Sequence, residues 1–311
     1  MKKLDHFAPS VIMKRLDSIR ARRIIKNCEA DYNRELKEAI DKVFDGGIPK
    51  IITLAGPTCS GKTTTAAKLE ERIDSTGKNA VRFSIDDFFM GGGGIRNDVD
   101  HEAPDYDSVK AIDIDYLAEF VKDLYAGRTV KVPQYSFAET RRSGYEEYVP
   151  EEDDIYIFEG IQAVYPEVTS LFVDGYRSIF ICPDDDISYK GTVLRKDELR
   201  FLRRVVRDYK FRAATPEYTY HLWTNVRKNE EENIFPYSKS DININSFLLY
   251  EPFIISRYAL DILAKVPVYS RYKDQADELM SRLRVFNETF FSAKMVPSNS
   301  MFREFIGQDD E

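Results

Sequence analysis

Lys50-Ile51-Ile52-Thr53-Leu54-Ala55-Gly56-Pro57-Thr58-Cys59-Ser60-Gly61-Lys62-Thr63-Thr64 decides how the rest of the chain is read. Lys50 to Ala55 is a short apolar run of the kind that forms a parallel strand buried on both faces. Gly56 to Thr63 matches G-x-x-x-x-G-K-[ST] in full. Its glycines let the backbone curl until successive N–H groups converge on phosphate oxygens at a helix N-terminus. Lys62 adds positive charge near the β- and γ-phosphates, and the Thr63 hydroxyl is a ligand for Mg²⁺. Thr64, at the helix start, joins the nucleotide-binding set, whereas Cys59 fills a free position of the loop. So short a motif can arise by chance, and the strand before it and the helix after it are the context that confirms it.

The spacing predicts a helix from Lys62 to Asp74, closed by Ser75-Thr76-Gly77, and a second strand from Ala80 to Ile85. Strand, helix, strand is a βαβ unit, and it implies a parallel sheet. Further strands are expected at Ile155–Phe158, Ser178–Ile181 and around Val266–Tyr269, with helices near Ile114–Tyr125 and Asp197–Phe211. Ahead of Asp45-Gly46-Gly47, Leu36, Ile40, Val43 and Phe44 recur at helical spacing. That segment reads as packing or a homo-oligomer contact. The expected division is an N-terminal helical extension over 1–47 and one nucleotide-binding domain over 48–311. A substrate loop at about 88–107 and a lid at about 197–232 are insertions over its site.

The chain has 311 residues, 43% hydrophobic and 32% charged, enough apolar material for a real core and too much for intrinsic disorder. The net charge of −8 excludes a global electrostatic grip on nucleic acid. No run approaches the roughly 18 apolar residues of a membrane span. Three cysteines, odd in number and far apart, are no disulfide framework. With no signal peptide legible at the start, the expectation is a cytoplasmic protein. His6, His101 and His221 show no zinc spacing with the cysteines or one another.

Ligands of open parallel sheets sit beyond the carboxyl ends of the strands. Asp86 and Asp87 end one strand and Glu159 another, so both should face Gly56–Thr63. One carboxylate can accept a proton from an attacking hydroxyl and one can hold Mg²⁺. Position suggests Asp86 as the base, with Glu159, Thr63 and Asp86 around the metal; without the neighbouring loop, the lesser reading of each carboxylate is a strand-end turn or cap residue. On the helix after Asp197, Arg200, Arg204 and Arg207 form one stripe, with Arg203 and Arg212 nearby. Beside a phosphate loop these suit triphosphate oxygens; alone they are a solvated basic face.

In order along the chain, Gly56–Thr63, Ser84–Phe89, Asp105-Tyr106-Asp107, Val132–Phe137, Ile157–Ile161 and Leu202–Asp208 resemble the uridine kinase/phosphoribulokinase family. The likeness runs from about Ile51 to Gly307 and is greatest to a bacterial uridine kinase-like branch. It implies a three-layer α/β/α P-loop fold with a mainly parallel sheet, a mobile arginine-bearing lid, ATP and Mg²⁺. It also implies transfer of the γ-phosphoryl group to the 5′-hydroxyl of a nucleoside, uridine or cytidine. By position Asp86 is the catalytic base, with Lys62, Arg204 and Arg207 also catalytic, and Asp107 holds the ribose hydroxyls. Tyr135 and Phe137 line the nucleoside pocket, Arg142 is counted with them, Arg204 lies near the sugar, and Arg207 and Arg212 meet the phosphates.

Three positions depart from the pattern. Thr140 stands for a base-reading histidine, Leu222 for a lid glutamine and Ala214 for a phosphate-side arginine. A site built from hydrogen bonds loses discrimination without its partners. Two alternatives therefore stand: a kinase of another sugar-like or pantothenate-like alcohol, and a non-catalytic nucleotide-binding regulator. The Gly91–Gly94 run is a hinge of a covering loop or a flexible insertion.

Overall fold

The computed structural model describes residues 2–3, 18–90, 106–137, 139–287 and 290–308. The Gly91–Gly94 run and most of the expected substrate loop lie outside them. In chain order the first elements are β1 (Lys2–Lys3), α1 (Ser18–Val43), β2 (Ile51–Ala55), α2 (Lys62–Asp74) and β3 (Asn79–Ser84). Next come α3 (Ile114–Tyr125), β4 (Val130–Ser136), β5 (Arg141–Tyr148), β6 (Asp154–Glu159), α4 (Pro166–Thr169), β7 (Arg177–Cys182), β8 (Ile187–Tyr189) and β9 (Thr192–Leu194). The rest is α5 (Lys196–Phe211), α6 (Pro216–Asn229), β10 (Ile242–Asn245), α7 (Glu251–Leu263), α8 (Lys273–Phe286) and α9 (Arg303–Ile306).

Five strands pair in the order β10-β7-β2-β6-β3, every neighbour parallel. Alternation of side chains divides the core into two layers. Ile52, Leu54, Ile155, Ile157, Ile179 and Ile181 face α1, α2, α5, α7 and α8. Ile51, Ala55, Tyr156, Phe158 and Phe180 face the other way, toward α3 and the turns around it. This is a three-layer α/β/α sandwich. β2 is where strand order reverses, with β6 and β3 added on one side and β7 and β10 on the other, so the crevice beyond its carboxyl end is the natural ligand position.

The expected strand at Val266–Tyr269 is a turn between α7 and α8, with Val268 and Tyr269 84% and 88% exposed. Pro267 lacks the N–H that a ladder needs. The fifth strand is β10, whose alternating Ile242-Asn243-Ile244-Asn245 carries too few apolar residues to stand out. A hairpin also went unforeseen: β4 and β5 pair antiparallel, with a register shift at Gln134/Tyr135. Helix α1 is not a loose appendage, since Ala21, Ile25, Leu36, Ile40 and Val43 join the core cluster of the sheet. Among the described residues no helix is long and apolar enough to cross a membrane.

Helix α5 enters the core as well as the site. Leu199, Leu202, Val205 and Val206 are buried, and so are Arg200 and Arg203, at 1% and 0% exposure. Arg200 therefore does not belong to the stripe expected of it with Arg204 and Arg207; its guanidinium forks onto Glu230, at 2.7 Å for Nη2 to Oε2. Arg203 forks onto Glu251, 2.6 Å from Nε and 2.7 Å from Nη2. Removing one partner of such a pair leaves an uncompensated charge in the interior. Glu251→Ala is expected to lower unfolding free energy by about 3–5 kcal/mol, whereas Asp277→Ala, in the exposed Lys273–Asp277 pair, changes it by less than about 1 kcal/mol. Urea unfolding followed by Trp223 fluorescence measures both, and equal losses in the two variants would refute the ranking.

Candidate active site

The loop after β2 is shaped by close approaches that exclude side chains. A Cβ on Gly56 would lie 2.1 Å from the Ile181 carbonyl oxygen. Gly61 has φ +95°, and a Cβ there would meet Met301 Cγ at 2.9 Å. Cys59 is also left-handed, at φ 59°, a costly conformation for a side-chain-bearing residue. Its carbonyl is held by Arg203 Nη1 at 3.0 Å. Gly61 caps α2 without a side-chain hydrogen bond, leaving the first-turn N–H groups of the helix turned to the loop interior. Lys62 Nζ folds over the loop, 2.9 Å from the Gly56 and 3.2 Å from the Pro57 carbonyl oxygens. Thr63 is exposed beside it and Thr64 half-buried.

Two strand ends bring carboxylates to this loop. Glu159 is the last residue of β6, level with Leu54 of β2 and Ser84 of β3. Asp86 lies in the short turn Ile85–Phe88 directly after β3. Burial pushes the Asp86 carboxyl up to about 7 from 3.8; the charge of Glu159 adds to this, Lys62 opposes it, and Asp107 and Asp87 raise it further. Lys62, Asp107 and Glu159 thus all lie within electrostatic reach of Asp86. The Asp107 backbone is clamped by Tyr165 Oη at 2.6 Å and Asn229 Nδ2 at 3.1 Å.

Beside the carboxylates stands an aromatic wall. Tyr135 and Phe137 pair edge-on at 5.3 Å, and each contacts Tyr106 and Phe89, with ring centroids 5.2–6.2 Å apart. Asp87 fixes the wall to the turn after β3 by accepting from the Tyr135 backbone N–H at 3.1 Å. Arg142, expected at the substrate, instead donates to the Phe89 and Phe88 carbonyls at 3.1 and 3.2 Å and to Asp113 at 2.9 Å. It supports the wall from behind. Thr140 sits at the hairpin tip with φ 53°.

Asp208 gathers the remaining arginines. It accepts from Arg204 Nε at 3.3 Å and from Arg207 at 2.9 and 2.7 Å, and lies 3.7 Å from Arg212 Nε. One buried carboxylate thus orients three cations at the end of α5. Sequence reasoning missed Asp208, Phe89, Tyr106 and the Arg203 brace. Phe89 and Tyr106 lie inside motifs already read, so their aromatic character was the available signal.

The family model described as "Phosphoribulokinase / Uridine kinase family" matches residues 51–248, the stretch that carries the loop, both acidic strand ends and the arginine helix. The chain belongs to this family. Within it, the chain is 30% identical over 178 residues to a uridine kinase of Staphylococcus haemolyticus, covering 57% of this chain and 77% of the relative. It is 29% identical over 192 residues to uridine-cytidine kinase A of Dictyostelium discoideum, covering 61% of this chain and 34% of that longer protein. Among solved structures, D-glycerate 3-kinase of Cryptococcus neoformans aligns with a TM-score of 0.44 at 13% identity, over 73% of this chain and 97% of that one.

A carboxyl that binds its proton more tightly folded than unfolded stabilises the fold at low pH and loses that contribution as pH rises through its folded value. For Asp86 the loss falls between about pH 4 and pH 7. Asp86→Asn is therefore expected to be more stable than wild type at pH 8, with an advantage about 1–3 kcal/mol larger than at pH 5. Urea unfolding in chelator at both pH values measures this, and an advantage that does not grow with pH would refute the assignment.

Proposed function

We propose that the protein is an ATP- and Mg²⁺-dependent kinase that transfers the γ-phosphoryl group to the 5′-hydroxyl of a nucleoside, uridine or cytidine in the first instance. One observation carries the reading: a half-buried carboxyl, Asp86, lies within electrostatic reach of both the loop lysine and a second carboxylate, beside a wall of four aromatic rings. A pure nucleotide binder has no use for a base positioned there. The aromatic wall favours a planar ring over an open-chain alcohol, because ring faces and edges interact with other π-systems.

The chain's own residues divide the work. The N–H groups of the loop and of the α2 N-terminus receive phosphate oxygens. Lys62 leaves its own loop carbonyls for the β- and γ-phosphates, and Arg207 and Arg212 meet the same charge from α5. Asp86 orients the acceptor hydroxyl and takes its proton as the oxygen attacks phosphorus. A proton affinity near neutrality suits that task, since the group is then ionised often enough and basic enough. Asp107 accepts from the sugar hydroxyls, Arg204 stands near the sugar, and Tyr135 and Phe137 hold the ring.

The donor set fits Mg²⁺. Thr63, Glu159 and Asp86 offer hard oxygens, and this ion is usually held by one or two carboxylates plus substrate phosphates. Among the described residues no group of three or more His, Cys, Asp or Glu side chains could hold a metal ion by itself. When bound, the ion would neutralise phosphate charge.

The purified protein with Mg²⁺ and ATP, offered nucleosides and other small alcohols, is expected to turn over uridine or cytidine selectively. Preference for a sugar-like or pantothenate-like alcohol would leave the catalytic roles and move the pocket reading, as Thr140, Leu222 and Ala214 allow. No turnover of any acceptor, with tight ATP binding, would favour a regulator. Lys62→Ala should cost roughly 10²-fold or more in rate. Asp86→Asn should abolish turnover while ATP binding stays nearly intact, and wild-type turnover in that variant would remove Asp86 as the base.

A further inference from the structure

The last helical turn of the described chain is built onto the nucleotide loop. Met301 covers Gly61, as the 2.9 Å approach of its Cγ to a Cβ there shows. Arg303 donates to the Ala293, Val296 and Gly307 carbonyls at 2.9, 2.6 and 3.0 Å, closing the C-terminal segment on itself. Lys210 of α5 donates to the Ile306 carbonyl. Gly307, at φ +87°, lets the backbone pass Phe211, whose ring lies 2.9 Å from the place of a Cβ. On the other side Ser300 Oγ donates to Glu29 of α1 at 2.6 Å, beside Tyr250. The turn is therefore a fixed mount and not a trailing end.

That mount presents Glu304 to the site. Its Oε2 is buried and accepts no hydrogen bond from the described residues. Burial holds the carboxyl above its usual value and the Glu159 charge adds to this, while Lys62, Arg207 and Arg203 pull it back, so the group lies within electrostatic reach of all three cations; the neighbouring Phe305 ring lies 4.9 Å from the Arg203 guanidinium. Arg203 spends its donors on Glu251, Ser246 and Cys59. Lys62 and Arg207 are the two cations assigned above to phosphate oxygens. A buried acceptor without a donor is costly, more so when charged.

We infer that Glu304 sets the nucleotide affinity of the site: its carboxylate balances Lys62 and Arg207 before a nucleotide arrives and then opposes part of their attraction for its phosphates. The inference rests on reading Gly56–Thr63 as the nucleotide loop. Its consequence is a looser hold on charged product and faster exchange, because a cationic site without this balance would retain ADP.

An opposing charge acts in proportion to the number of phosphates, whereas a merely structural residue affects every ligand of the site alike. Calorimetric titration of the full chain with a non-hydrolysable ATP analogue, ADP, AMP and adenosine, with Mg²⁺ at low salt, separates the two. Glu304→Gln is expected to bind the triphosphate about 10-fold tighter, ADP several-fold tighter and adenosine within about twofold of wild type. Glu304→Asp keeps the charge and should keep the wild-type affinities. Unchanged affinities in Glu304→Gln, equal shifts for all four ligands, or weaker triphosphate binding would each overturn the inference. A wild-type chain that binds none of the phosphorylated ligands would instead remove the reading of the loop, and the inference with it.

Discussion

The Arg203 guanidinium, fully buried, ties together parts of the chain that lie far apart in sequence. It reaches Cys59 of the loop, Ser246 after β10 and Glu251 at the start of α7. An unpaired donor on a desolvated guanidinium is costly, so its planar fork favours the places where those partners lie. The loop needs such a brace, because Cys59 and Gly61 both hold left-handed backbone that the chain would not choose unaided. Held from beneath, the loop keeps its N–H groups facing the crevice at the sheet's switch point. The same helix then carries Arg204, Arg207 and Arg212 to that crevice, so the brace of the fold and the cations of the site are successive turns of one element.

Charge is concentrated around this frame in a way that stability alone would not select. Asp86, Glu159 and Asp107 share a space that only Lys62 relieves among the principal charges acting on Asp86. At the other end of the crevice, Asp208 holds three arginines close to one another. Like charges kept together are costly until an oppositely charged partner arrives. Arg142, bonded to the Phe88 and Phe89 carbonyls, steadies the aromatic wall.

Much of the architecture was legible because it follows from local rules. The strand, glycine loop and helix from Ile51 to Asp74 declare themselves by an apolar run, two glycines and a lysine at fixed spacing. Asp86 and Glu159 could be assigned to one site because each ends a strand of the same parallel sheet. Reading failed where local signals were weak or misleading. Val266–Tyr269 has strand composition, but Pro267 and its place between two helices make it a turn. Ile242–Asn245 has only two apolar residues and becomes a strand because β7 offers an open edge. Arg200 and Arg204 look equivalent on a helical wheel, and only Glu230, thirty residues later, takes Arg200 out of the site.

By itself, then, the sequence determined the family, the parallel α/β sheet and the chemical roles open to Lys62, Asp86 and Glu159, because those depend on residue type and short spacing. The tertiary structure alone decided which arginines brace and which face the crevice, that the hairpin carries the aromatic wall, and that Glu304 returns from the far end of the chain to the loop. Those outcomes depend on burial and on partners distant in sequence. Neither is written in any local pattern, since a charge goes to the interior only where the rest of the fold supplies its counter-charge.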